Sequence, residues 1–167
     1  REELQMTDGK SANRNGLQQE GELANLFASN GYADIDGKLS VKQKAKLFNS
    51  RVHYTGKWFS RQLLCGNNIY GSPVRADVFV YGAVNFPDGL IIESKWQQVG
   101  GSVDEKYPFL VETVKLLAIP TIVVLDGNGY RLAAADWLRS QVAVVPSLAG
   151  VYTYAEFKKA VNKKLLG

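Results

Sequence analysis

The sequence predicts an α/β fold, a mixed central sheet flanked by helices, and three observations predict it. Residues 121–125 form a continuous run of the kind carried by a strand buried on both faces. Residues 77–80 and 90–97 read as two further strands, and Phe86-Pro87-Asp88-Gly89 between them has the Pro and Gly that suit a hairpin turn. Apolar residues at helical spacing precede and follow these strands. The chain has 167 residues, 46% of them apolar and 22% charged, with no internal repeat, low-complexity tract or Pro/Ser linker. Residues 1–167 are therefore expected to form one domain.

The elements follow in order. Residues 1–13 are polar and expected to fray. A first helix is expected over 15–29, where Leu17, Leu23, Ala24, Leu26 and Phe27 recur at helical spacing and Asn30-Gly31 closes it. Glu20 lies three residues after Leu17 and three before Leu23, so it shares their face; Glu22, about 200° away, faces water. An inward-pointing acid is costly unless paired or bound to metal, which marks Glu20 as a candidate. Residues 38–65 read as helical or irregular, most helical over 42–48. After the hairpin, Gly100-Gly101 breaks the chain and Ser102-Val103-Asp104-Glu105 is a capping box. The helix it opens carries the stripe Val103, Tyr107, Leu110, Val111, Val114 and Leu117. Past the buried strand, Asp126-Gly127-Asn128-Gly129 is a turn, 133–140 a short helix and 142–145 a strand. Thr153-Tyr154-Ala155-Glu156 is a second capping box, opening the last helix.

Composition narrows the function. No run of about 18 apolar residues occurs, so no membrane helix is expected. The visible start carries no secretory signal, and the single Cys65 can form no internal disulfide; both predict a reducing, cytoplasmic location. One histidine, His53, argues against a His-rich zinc site or a His-based triad. No Gly-rich phosphate loop is present, so no need for ATP is expected. Cys65, without a histidine partner, reads as a small buried apolar group.

The formal charge of +4 is unevenly spread. Residues 37–76 contain no acid but hold Lys38, Lys42, Lys44, Lys46, Arg51, Lys57, Arg61 and Arg75, so the rest of the chain is net acidic. Phe48, Tyr54, Trp58, Phe59 and Tyr70 are interleaved with these cations, most of them expected in the core. A phosphate backbone selects such a surface, because each neutralised phosphate releases condensed counterions. A solvated basic face is the competing reading of charge alone.

The chemistry concentrates in Ile91-Ile92-Glu93-Ser94-Lys95-Trp96-Gln97. Strand alternation puts Glu93, Lys95 and Gln97 on one face and Ile92, Ser94 and Trp96 on the other. A carboxylate, an ammonium and an amide in a row are poor packing but a good site. The carboxylate can hold a hard cation, and the lysine can orient or help deprotonate an attacking water and offset charge on phosphate. Folding the hairpin about residue 85 places Asp77 opposite Glu93. Two carboxylates beside a lysine can bind magnesium and cleave a phosphodiester. Acid-x-Lys triplets are common here: Asp8/Lys10, Asp36/Lys38, Asp104/Lys106 and Glu156/Lys158 also fit, and a structural ion pair would explain each. Glu93/Lys95 stands apart by its apolar lead-in, strand spacing, trailing Gln97 and partner strand at Asp77.

Here the chain resembles the PD-(D/E)XK, or restriction-endonuclease-like, nucleases over residues 15–126. Arg75-Ala76-Asp77-Val78-Phe79-Val80 looks like the strand of the first acid, although Ala76 stands where the group often has proline. Glu93-Ser94-Lys95-Trp96-Gln97 looks like the acid-x-Lys strand. Gly16-Leu17-Gln18-Gln19-Glu20-Gly21-Glu22-Leu23-Ala24 is similar to the opening helix of archaeal Holliday-junction resolvases, and Gly101-Ser102-Val103-Asp104-Glu105-Lys106 to a helix start in several restriction enzymes. The resemblance implies a restriction-endonuclease-like core with a basic insertion over about 38–70. It implies that Asp77 and Glu93 ligate Mg2+ (Mn2+ substituting), that Glu20 completes the site directly or through water, that Lys95 acts on the nucleophile, and that Gln97 supports the scissile phosphate or a neighbouring side chain. The expected activity is site-specific hydrolysis of double-stranded DNA leaving 5′-phosphates, of restriction or homing type, by a homodimer with one site per strand. Arg75 is expected at the phosphate beside the cut, with Lys42, Lys44, Lys46, Arg51, Lys57 and Arg61 gripping DNA. A junction resolvase is the alternative activity, and a catalytically silent DNA-binding module the alternative class.

Overall fold

The computed structural model describes residues 8–97 and 104–167, with side chains from residue 16 onward. The element order is α1 (Asp8–Ser29), β1 (Ala33–Asp34), α2 (Val41–Ser50), β2 (Trp58–Asn67), β3 (Pro73–Tyr81), β4 (Leu90–Trp96), α3 (Tyr107–Leu117), β5 (Thr121–Asp126), α4 (Leu132–Ser140), β6 (Leu148–Thr153) and α5 (Tyr154–Asn162). Six strands form one mixed sheet in the order β1-β2-β3-β4-β5-β6. β2, β3 and β4 meander antiparallel, whereas β1 pairs parallel to β2 and β4, β5 and β6 run parallel. The mixed, helix-flanked sheet is the one the sequence predicts.

Layering follows from which strand residues each helix covers. Val78, Val80, Leu90, Ile92, Ile122 and Val124 join Leu23 and Phe27 of α1 and Phe157 and Val161 of α5 in one core. On the other face, Val123 and Leu125 pack under α3 and α4, and Phe79 and Ile91 pack with Leu47 of α2. α3 and α4, each linking neighbouring parallel strands, lie on the same face, as two successive crossovers of one hand require. β5, buried from Thr121 to Leu125, is covered on both sides. No helix among the described residues is long and apolar enough to cross a membrane.

Most local expectations hold. α1 ends where Gly31 takes a φ of +86°, and Asn30 Nδ2 donates to the Leu26 carbonyl at 2.9 Å. The capping box Thr153/Glu156 opens α5. The turn of Gly127 passes so close to the Gln97 carbonyl that a Cβ there would collide with it. Cys65 is buried, and burial pushes its thiol up to about 12, so it is inert. His53 is exposed.

Three expectations are corrected. Leu17 is 64% exposed, so the buried stripe of α1 starts at Gln19. Residues 38–65 are not helical or irregular throughout: beyond α2, capped by Ser40 and Gln43, the chain forms β2 inside the sheet. Residues 142–145 form no strand, because Val142 and Val144 face water at the end of a 3₁₀ turn and Pro146 follows; the strand is β6, whose Leu148 and Gly150 are buried. The helix expected after Gly100-Gly101 is present, entered through a 3₁₀ turn, Asp104–Lys106, that runs into α3. The Gly100-Gly101 break and Ser102 and Val103 of the expected capping box lie outside the described residues.

Candidate active site

The site begins where the sheet forks. β3 and β4 pair only through Val78↔Ile92, Phe79↔Ile91 and Val80↔Leu90. Beyond that rung β3 continues on β2 alone and β4 on β5 alone. Asp77 and Glu93 stand at the apex of the notch, in the register the hairpin predicts. Their side chains replace the missing rungs. Asp77 Oδ2 accepts from the Ser94 N–H at 2.8 Å, and the Asp77 backbone stands beside the Glu93 carboxylate and favours its charge.

Beyond the apex Ser94, Glu93 and Lys95 alternate as expected, but Gln97 does not join Glu93 and Lys95 at their cavity. Ser94 turns toward α1, where its hydroxyl meets the carboxamide of buried Gln19. Glu93 and Lys95 turn the other way, into a cavity of about 310 Å³ between the start of β3 and α3, edged by Arg75, Lys106, Phe109 and Thr113. A second cavity, about 290 Å³, is lined by Glu20, Asp77, Ser94, Lys95 and Lys106, so the two lysines border both. Gln97 is buried just past β4; its N–H donates to the Asp126 carbonyl and its carbonyl accepts from Gly129. It lines neither cavity.

Lys95 Nζ donates to Glu93 Oε2 at 2.9 Å. Among the acid-x-Lys triplets with described side chains, this pair alone forms an internal ion pair. Asp36 binds Lys44, Asp104 binds Arg131, and Glu156 caps α5. Burial pushes the Glu93 carboxyl up; Lys95 pulls it back and Asp77 adds to the rise, leaving it above the ordinary range. For Lys95, burial works against the charge, but Glu93 and Asp77 outweigh it and raise its pKa. Lys95 is therefore an ammonium at neutral pH, suited to orienting and neutralising rather than to accepting a proton.

Glu20 reaches the apex from α1 through a residue that sequence reasoning missed. Gln62 Nε2 donates to Glu20 Oε1 at 2.8 Å and to Asp77 Oδ1 at 3.2 Å. Gln62 has a φ of +50°, a left-handed strand residue that costs roughly 1–2 kcal/mol. The break reverses strand alternation. Phe59 faces α1 while Leu63 faces α2, and in β3 Val78 faces α1 while Ala76 faces α2. Desolvation, then the nearby Asp77, pushes the Glu20 carboxyl up, and its bond from Gln62 opposes the rise.

Hard oxygen donors crowd the apex, which suits a divalent cation. The three acids are not yet gathered around one point: among the described residues no group of three His, Cys, Asp or Glu side chains is ready to hold a metal. Gln62 stands between two of them.

The basic candidates divide by occupation. Arg75 is exposed beside the apex, with Nη1 3.5 Å from the Gln62 carbonyl. Lys42 and Lys46 are exposed on α2, and Lys57 lies 5.6 Å from the Tyr32 ring. Lys44 pairs with Asp36 at 3.2 Å and Arg61 with Asp34 at 3.5 Å. Arg51 donates to the carbonyls of Phe48 and Asp88 and lies over the Phe48 ring, so it ties α2 to the 86–89 turn. Trp58 and Phe59 are core residues, whereas Tyr70 is exposed and stacks on Phe109 at 5.5 Å. Lys106, a first-turn lysine that the sequence leaves open between the site and solvent, lies at the edge of both cavities.

Comparison with known families agrees with this geometry. A family model described as a PD-(D/E)XK nuclease superfamily domain matches residues 11–165. No curated protein and no solved structure matches the chain. Nucleases of this superfamily act on nucleic acid and typically use divalent metal ions. With the match spanning nearly all of its length and the acid-x-Lys strand standing at a sheet fork, the chain belongs to the PD-(D/E)XK nuclease superfamily.

Proposed function

We propose that the chain is a magnesium-dependent, site-specific endonuclease of double-stranded DNA, leaving 5′-phosphate ends in a restriction or homing role. The observation that carries this reading is the meeting of Asp77, Glu93 and Lys95 at the fork, with Glu20 drawn in through Gln62. Residues 1–167 act as one nuclease domain in the cytoplasm, and a homodimer supplies one site to each strand.

Asp77 and Glu93 would hold the cation, with Glu20 joining from α1. When bound, a divalent cation supplies charge neutralisation at the phosphate. The remaining work falls to the chain. Lys95, held as an ammonium by Glu93, donates hydrogen bonds that orient the attacking water and offset charge gathering on the phosphoryl oxygens. Arg75 and Lys106, on opposite walls of the cleft, clamp the strand on either side of the cut. Gln97 acts through its buried backbone contacts, steadying the end of β4 under the scissile phosphate.

Incubation with long duplex DNA and magnesium, followed by sequencing of the ends, tests the activity. Discrete fragments with 5′-phosphates are expected. A smear would make the enzyme nonspecific, and cutting of four-way junctions alone would make it a resolvase.

Binding has its own signature. Lys42 and Lys46 are exposed and form no ion pair among the described residues, so replacing both with Ala should lower the slope of log K against log salt by about 1.8, at ~0.9 for each phosphate no longer neutralised. Lys44, partly spent on Asp36, should contribute less. An unchanged slope would remove α2 from the DNA surface.

A further inference from the structure

We propose that Gln62 is a place-holder for the cation: in the cation-free protein its carboxamide bridges Glu20 and Asp77, and the cation enters by displacing it. This rests on the metal-dependent reading above and adds a residue to it.

The geometry is specific. A carboxamide nitrogen carries two N–H groups, and here one points to each carboxylate, at 2.8 and 3.2 Å. Those two bonds draw together acids from α1 and β3 that would otherwise repel. The backbone is bent to serve them. Gln62 is neither Gly nor Asn, yet it sits at a φ of +50° in mid-strand with its side chain exposed, so the same break that turns Leu63 and Cys65 toward α2 also frees the Gln62 carboxamide to reach both acids. The cross-strand rung it would share with Asp77 is missing between Arg61↔Val78 and Leu63↔Ala76.

A neutral amide leaves two negative charges uncancelled, and a cation answers both more strongly than a dipole does. Entry of the cation would need only a side-chain rotation, because the Gln62 carbonyl stays beside Arg75. Glu93 and Lys95 bond to each other, not to Gln62, and keep their places meanwhile.

Calorimetric titration of magnesium chloride into the whole chain tests the proposal, alongside thermal unfolding without the cation. Wild-type protein should bind magnesium in a manner abolished by Asp77→Asn. Gln62→Ala should bind it about a hundredfold more tightly, about tenfold for each of the two charge-assisted hydrogen bonds that no longer have to be broken. Its cation-free melting temperature should fall below wild type and recover with magnesium. Gln62→Glu should lose more without the cation and recover more with it. Gln62→Gly, which accepts the left-handed backbone, should repeat the affinity gain if the Ala variant fails to fold. Unchanged affinity in both Ala and Gly variants would make the bridge incidental, and weaker affinity would make Gln62 a ligand; either overturns the place-holder role while the metal site stands. Wild-type protein without Asp77-dependent binding would bring down the metal reading and the place-holder with it.

Discussion

Asp77→Asn is expected to lose DNA cleavage by about 10²–10³-fold, the scale on which removing one group that stabilises transition-state charge is felt. The reason lies in what Asp77 does at the fork. One oxygen replaces a backbone rung by accepting from Ser94, and the other faces Glu20 across Gln62. Asn keeps a carbonyl oxygen for the Ser94 N–H, so the strands should stay in register and the fold should survive. What disappears is the charge. DNA binding measured without a divalent cation should hold within about threefold, because one negative charge has left a surface that attracts phosphate. Single-turnover cleavage on DNA, set beside a binding isotherm and a melting curve, separates the possibilities. Cleavage within tenfold of wild type would move the chemistry away from the fork. Loss of binding along with cleavage would mean that Asp77 holds the fold together rather than the reacting groups.

The legible part of this molecule was the part fixed by local chemistry. The 86–89 turn sets the hairpin centre, and period-two alternation then sends Asp77 and Glu93 to one apex and Ser94 to the opposite face. Thr153 and Glu156 declare a helix start without help from the rest of the chain. The illegible part depends on long-range contacts. β2 escaped because the break at Gln62 shifts its inside-outside pattern midway, so Trp58 and Leu63 share a face that an unbroken strand would deny them. Nothing about a glutamine announces a left-handed backbone. Val142 and Val144 have better strand propensity than Gly150, yet Pro146 and the lack of a covering partner leave them in water. That Glu20 points inward was readable from its place on α1. Its route to Asp77 was not, because that route passes through a residue 42 positions away.

Lys95→Ala should cost about 10²–10³-fold in single-turnover rate, since in the proposed mechanism it removes the ammonium that Glu93 holds against the reacting phosphate. The pH profile shows how. Glu93 must be ionised to hold a cation, and burial already raises its pKa, so wild-type cleavage should fall off at a higher pH than an ordinary carboxylate dictates. Lys95 resists that rise, because its positive charge favours the carboxylate 2.9 Å away. Without the ammonium Glu93 takes up its proton more readily, and the acidic limb should move to still higher pH. Lys95→Arg keeps the charge and the donors, so it should recover part of the rate and return the limb toward wild type. That rescue distinguishes the electrostatic role from proton abstraction. A lysine acting as base must be neutral, Glu93 and Asp77 both oppose that state, and an arginine could not replace it. A loss of only twofold in Lys95→Ala would make the pair structural, and an Arg variant as inactive as Ala would favour lysine as the base.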